Sequence, residues 1–173
     1  SGTFGSIYAE AGATGTQCRA DDGTNGPINK TADGYAYVLT NGQIRNDNSS
    51  ESSWGDAFSA GDILGIALDL DNYKIYFARN NTWQDSGDPT SGATGTGAAY
   101  TVSSSPSMGF YIPCFGKESG SGYEWVMKTN FGGSSGFAIS SAAADGNGYG
   151  AFEYAPPSGY LAICTKNLGS DGG

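Results

Sequence analysis

Histidine is absent from the 173 residues, and that absence removes more chemistry than any residue present adds. No Ser-His or Cys-His nucleophile pair can be built, and no imidazole is available to hold a metal. Cys18, Cys114 and Cys164 are odd in number and have no Cys-x-x-Cys spacing, so neither a disulfide framework nor a thiolate zinc site is indicated. Cys114 and Cys164 fall in apolar, strand-like stretches, residues 110–115 and 160–164, which suit buried free thiols.

Carboxylates are the remaining reactive groups. Asp69 and Asp71, two residues apart on an extended segment, point to one face. A retaining glycosidase, however, holds its carboxyl groups about 5 to 5.5 Å apart with the sugar between them. The Glu-x-Asp-x-x-Glu pattern of sandwich-fold glucanases is also missing. Asp71-Asn72 therefore reads as a hairpin turn, with Asp69 supporting it through side-chain hydrogen bonds. Asp145-x-Asn147-x-Tyr149-Gly150 copies the first half of an EF-hand loop, but position five is Tyr and position twelve is Pro156, where a bidentate Glu is required. Asp-Gly-Asn-Gly is first a turn, and a looser calcium site is the weaker reading. Gly92-x-x-Gly95-x-Gly97 opens no helix, so it reads as a surface loop and not as a phosphate cradle. The expectation is no catalytic residue, no metal site and no cofactor.

Aromatic side chains are left as candidates for recognition. Tyr35 with Tyr37, and Tyr123 with Trp125, have the spacing of one sheet face and read as core or cross-strand pairs. Trp54 and Trp83 lie in polar loop contexts, where an indole either anchors the loop or offers a face to a sugar or protein. Anchoring is the stronger reading, above all for Trp83, which directly follows a hairpin. Trp54, Trp83 and Tyr149 are the candidate binding residues.

The elements that must position these groups are strands. In Ile63-Leu64-Gly65-Ile66-Ala67-Leu68-Asp69-Leu70 the even positions place Leu64, Ile66, Leu68 and Leu70 on one face, which predicts a core face with Ala67 turned away. Lys74-Ile75-Tyr76-Phe77-Ala78-Arg79 alternates again after Asp71-Asn72-Tyr73, which completes a hairpin. Further strands are expected at residues 35–39, 110–115, 123–129 and 160–163. The one candidate helical turn is residues 139–144, and residues 83–99 and 132–150 read as long loops. Short strands separated by turn residues, without intervening helices, predict a single all-β domain, residues 1–173, folded as an antiparallel β-sandwich with few or no helices.

Composition narrows the partners. Glycine supplies 29 residues and charged residues 14%. Neither figure suits collagen, because no Gly-X-Y period is present, and 38% hydrophobic content is too high for a disordered tail. The net charge is −9 with no basic stripe, so nucleic acid is not an expected partner. The longest apolar stretch, residues 63–68, falls far short of the roughly 20 residues that span a bilayer, and membrane insertion is not expected. Ser1 is not an initiator Met and no leader pattern follows, so the chain is expected to be a processed product or an excerpt.

Gly61-Asp62-Ile63-Leu64-Gly65-Ile66-Ala67-Leu68-Asp69-Leu70-Asp71-Asn72, with Lys74-Ile75-Tyr76-Phe77 and Asn80, resembles the central hairpin of the SPRY domain. Asn130-Phe131-Gly132 resembles the SPRY strand that ends in a Phe-Gly pair. Residues 145–168, which contain Tyr154-Ala155-Pro156-Pro157-Ser158-Gly159-Tyr160, and the loop Trp83-Gln84-Asp85-Ser86-Gly87-Asp88-Pro89 look like SPRY domains of tailed-phage virion proteins. The resemblance covers roughly residues 33–168. It implies a concanavalin A-like jelly roll that binds through its loops and has no catalytic centre, carried on a virion tail, fibre or appendage for host-surface attachment. Its implied partners are a host-surface glycan or protein, other virion proteins, or further copies in a homo-oligomer. The alternative is a decoration or filament subunit of the virion, and a weaker one is a glycan-active enzyme. The opening SPRY strand with its Trp is not evident, and Gly2 and Gly5 make residues 1–10 a poor substitute. The sequence therefore predicts an open sheet edge that self-association would cover.

Overall fold

The computed structural model describes residues 2–9, 16–17, 32–47, 49–51, 54–107, 109–114, 116–117, 127–133 and 136–167. Two antiparallel sheets account for the described strands, apart from one parallel pairing. The larger has the order β11 (Met127–Asn130), β1 (Gly2–Ala9), β6 (Ile63–Asp69), β7 (Lys74–Arg79), β8 (Thr82–Trp83). Here β12 (Tyr160–Ala162) runs parallel to the first half of β1, and β9 (Tyr100–Thr101) pairs with the first half of β7. The smaller sheet has the order β10 (Gly116–Lys117), β2 (Thr16–Gln17), β3 (Tyr35–Val38), β4 (Gln43–Asn46), β5 (Ser49–Glu51).

A shared core makes these sheets a sandwich, as expected. Tyr37 and Ile44 of the smaller sheet, with Leu39, pack against Leu64 and Phe77 of the larger, joined by Phe58 and Ala99. The opposite face of the larger sheet carries a second core of Ala67, Tyr76, Phe152, Tyr160 and Ala162. Alternation explains both cores. Leu64, Ile66, Ile75 and Phe77 point one way while Ala67 and Tyr76 point the other.

The expected one-sided pattern of β6 is corrected in two respects. Ala67 is fully buried, because Phe152 packs onto that face together with Trp83 and Ala98. Leu70 is 41% exposed, because β6 has already ended and Leu70 belongs to the turn. That turn is built as expected. Asp69 Oδ1 accepts from the Asp71 and Asn72 backbone N–H groups, and Oδ2 accepts from the Asn72 side chain.

Other elements depart from the sequence reading. Residues 2–9 form a strand between β6 and β11 despite Gly2 and Gly5, because pairing on both edges outweighs weak local propensity. Residues 110–114 contain no strand, and Phe110 and Ile112 are exposed. Residues 139–144 are not helical; Ala143 instead bridges Phe152. A helical turn occupies residues 165–167. Residues 83–99 are a folded segment with 3-10 helices at Gln84–Ser86 and Pro89–Thr94. Cys114 and Cys164 are half-buried, not buried. Cys18, Tyr123 and Trp125 lie outside the described residues. No helix among the described residues is long and apolar enough to cross a membrane.

Candidate functional site

Two loops meet at the end of the sandwich opposite the β6–β7 turn. The first follows β5 and carries Trp54, Gly55 and Asp56. The second continues from β8 through Gln84, Asp85 and Ser86. Between them lies a cleft of about 450 Å³, open to solvent and lined by residues of these two loops, including Thr82.

The first wall rests on the sandwich core. The Trp54 ring meets Tyr37 and Phe77 edge-on, with centroids 5.9 and 6.3 Å away. Gly55 is required by close approach, since a Cβ there would fall 2.5 Å from the Tyr37 hydroxyl and 3.0 Å from Gln84 Oε1. The Tyr37 hydroxyl donates to the Asp56 carbonyl at 2.6 Å. Burial pushes the pKa of this hydroxyl well above the usual tyrosine value, so it stays protonated and remains a donor.

The second wall rests on the other core. Trp83 pairs with Ala78 across β7, and its ring lies edge-on to Tyr76 at 6.4 Å. Asp85 and Ser86 are both left-handed, at φ 52° and 55°, a conformation few non-glycine residues adopt. Gly97 braces this bend from behind, since a Cβ there would sit 2.5 Å from the Asp85 carbonyl oxygen.

Gln84 ties the walls together. It is buried, its Oε1 accepts from the Asp56 backbone N–H at 2.7 Å, and its Nε2 donates to the Thr82 carbonyl at 2.9 Å. Polar groups so paired hold a fixed geometry and have little to gain from bonding elsewhere.

Charge at the cleft is acidic. Asp56 and Asp85 are exposed, and no lining residue is basic. Arg79 stands nearby but is committed. Its Nε donates to Asp62 Oδ2 at 2.8 Å, its guanidinium lies 5.8 Å over the Phe58 ring, and its nearest approach to the Asp56 carboxylate is 4.0 Å. Burial pushes the Asp62 carboxyl up, but hydrogen bonds from Ser59, Asn80 and Arg79 outweigh burial and hold it below the usual carboxylate range.

Of the three candidate residues, Trp54 and Trp83 come together here, both with the anchoring role their sequence context favoured. Tyr149 does not join them. It belongs to the Asp145 turn, with Lys166 Nζ 5.4 Å over its ring. That turn is a structural knot. Asp145 Oδ1 accepts from the Asn147 and Tyr149 N–H groups, and Oδ2 from the Ala162 N–H and the Asn167 side chain. Four donors occupy the carboxylate that a calcium ion would need. Among the described residues no group of three or more ligating side chains gathers anywhere. The sequence reading missed Asp56, Gln84 and Asp85, because their importance comes from contacts between loops that are far apart in the chain.

No family model matches the chain, and no curated protein does. Solved structures similar to it include two SPRY domains. The SPRY domain of human HERC1 aligns with 19% identity and a TM-score of 0.41, over 48% of this chain and 55% of that one. A human SPRY domain aligns with 14% identity and a TM-score of 0.38, over 47% and 57%. The chain thus spans little more than half of each.

Proposed function

We propose that the protein is a non-enzymatic binding domain that engages a target through the cleft between Trp54–Asp56 and Thr82–Ser86. The observation that carries this reading is the preorganised pair of walls. Each is anchored to its own core by a tryptophan, and the two are cross-tied by buried Gln84, yet the cleft between them stays open. A site fixed before binding avoids the cost of ordering loops on contact. The setting that the sequence resemblance supplies is attachment of a phage virion to its host surface.

Thr82→Tyr tests the reading, because Thr82 is exposed in a short edge strand that tolerates an aromatic residue, and the larger side chain fills the cleft. Labelled protein is incubated with intact bacterial cells and its retention measured beside its melting temperature. Retention by the original chain and its loss in Thr82→Tyr, with melting unchanged, supports the proposal. Equal retention by both refutes the cleft as the binding surface. Assembly into repeating filaments without retention would favour the decoration role instead.

A further inference from the structure

Resting on that reading, we infer that the cleft accepts an arginine side chain presented by a protein partner. Charge and ring chemistry point the same way. Two carboxylates, Asp56 and Asp85, stand at the cleft with two indoles, and no lining residue is a cation. Among the described residues the Asp85 side chain has no hydrogen bond or ion pair, while Asp56 forms a long ion pair with Arg79 at 4.0 Å. A guanidinium fits both features, because it lies flat on an aromatic face and pairs with carboxylates through a planar fork.

The chain already uses this arrangement one step away. Arg79 lies over the Phe58 ring and donates to Asp62, so an aromatic face plus a carboxylate is a guanidinium seat in this same corner of the fold. The cleft likewise brings two carboxylates and parts of two half-buried indoles into one lining. The net charge of −9 adds long-range attraction for a basic partner and repels an acidic one. Ser86 and Thr82 supply hydroxyls at the rim, adding neutral hydrogen-bonding capacity without positive charge.

The experiment titrates the full chain with N-acetyl-arginine methylamide, N-acetyl-glutamate methylamide and glucosamine, following the indole N–H resonances of Trp54 and Trp83. The arginine probe is expected to move both resonances saturably, and the glutamate probe neither. Asp85→Asn is the paired variant, because Asn tolerates the left-handed backbone and removes only the charge. It should weaken the arginine probe by about twofold to fivefold, the worth of an exposed ion pair. Added salt should weaken binding to the original chain more than to the variant. An unchanged affinity in Asp85→Asn, or stronger binding by glucosamine or the glutamate probe, overturns the arginine assignment. In the latter case the cleft remains a binding site for another ligand. If no probe moves either indole, the arginine assignment fails, whereas the wider reading stands or falls with the Thr82→Tyr retention assay.

Discussion

Replacing Gln84 with Met probes the tie between the two walls of the cleft. Methionine is close to glutamine in length and volume, so little cavity forms, and the substitution isolates the two hydrogen bonds. These run from the Asp56 N–H to Oε1 at 2.7 Å and from Nε2 to the Thr82 carbonyl at 2.9 Å. Each contributes about 0.5–1.5 kcal/mol net of competition with water. Asp56 and Thr82 are themselves exposed, so water can reach the groups left behind and no full burial penalty adds to the loss. The expected cost is therefore about 1–3 kcal/mol. In urea, with a slope of about 2 kcal/mol per molar, the midpoint falls by about 0.5–1.5 M while the slope stays constant. The Trp54 indole resonance should also shift, because Asp56 is its near neighbour in the released loop. A loss below about 0.5 kcal/mol with an unmoved indole would refute the assignment of Gln84 as the cross-tie.

Four further outcomes follow from the same structure. Ala67→Leu should cost about 1–3 kcal/mol in denaturant unfolding, because Ala67 is fully enclosed by the second core. Leu68→Ala should cost less than the roughly 2–5 kcal/mol of a fully buried leucine, since Leu68 is half-buried. Gly97→Ala should lower stability by more than about 1 kcal/mol and disturb the Asp85 bend, read from the Trp83 indole resonance, since its φ of 59° and a 2.5 Å approach both exclude a Cβ. Burial pushes the Asp145 carboxyl up, but its four donors hold it below its ordinary value of 3.8, so ionised Asp145 stabilises the fold above that pH. That stabilisation disappears as pH falls through the depressed value, so the stability gap between the original chain and Asp145→Asn should narrow in acid unfolding experiments.

The hairpin at residues 63–79 was legible because its signals are local: alternation, a turn sequence and an Asp placed to cap it. The burial of Ala67 was not, since small residues on the second face look like a solvent face until Phe152, Trp83 and Ala98, distant in sequence, pack onto it. Residues 2–9 misled in the same way. Two glycines lower strand propensity, yet β6 and β11 supply partners that the local sequence does not show. Phe110 and Ile112 erred in the opposite direction, being apolar enough to suggest a strand but left outside one. For the site, the two tryptophans stood out because a large apolar group is conspicuous in a polar loop. Gln84 and Asp85 carried no such contrast. Their roles depend on a contact spanning 28 residues between Asp56 and Gln84 and on a backbone bend that Gly97 braces from behind.

Hydrogen–deuterium exchange on the protein bound to its target, compared with the protein alone, tests the binding account most directly. Slowed exchange is expected to concentrate at residues 54–56 and 82–86, with the β6–β7 turn at residues 70–73 unchanged at the opposite end of the sandwich. Slowed exchange at the turn, with residues 54–56 and 82–86 unaffected, would contradict it.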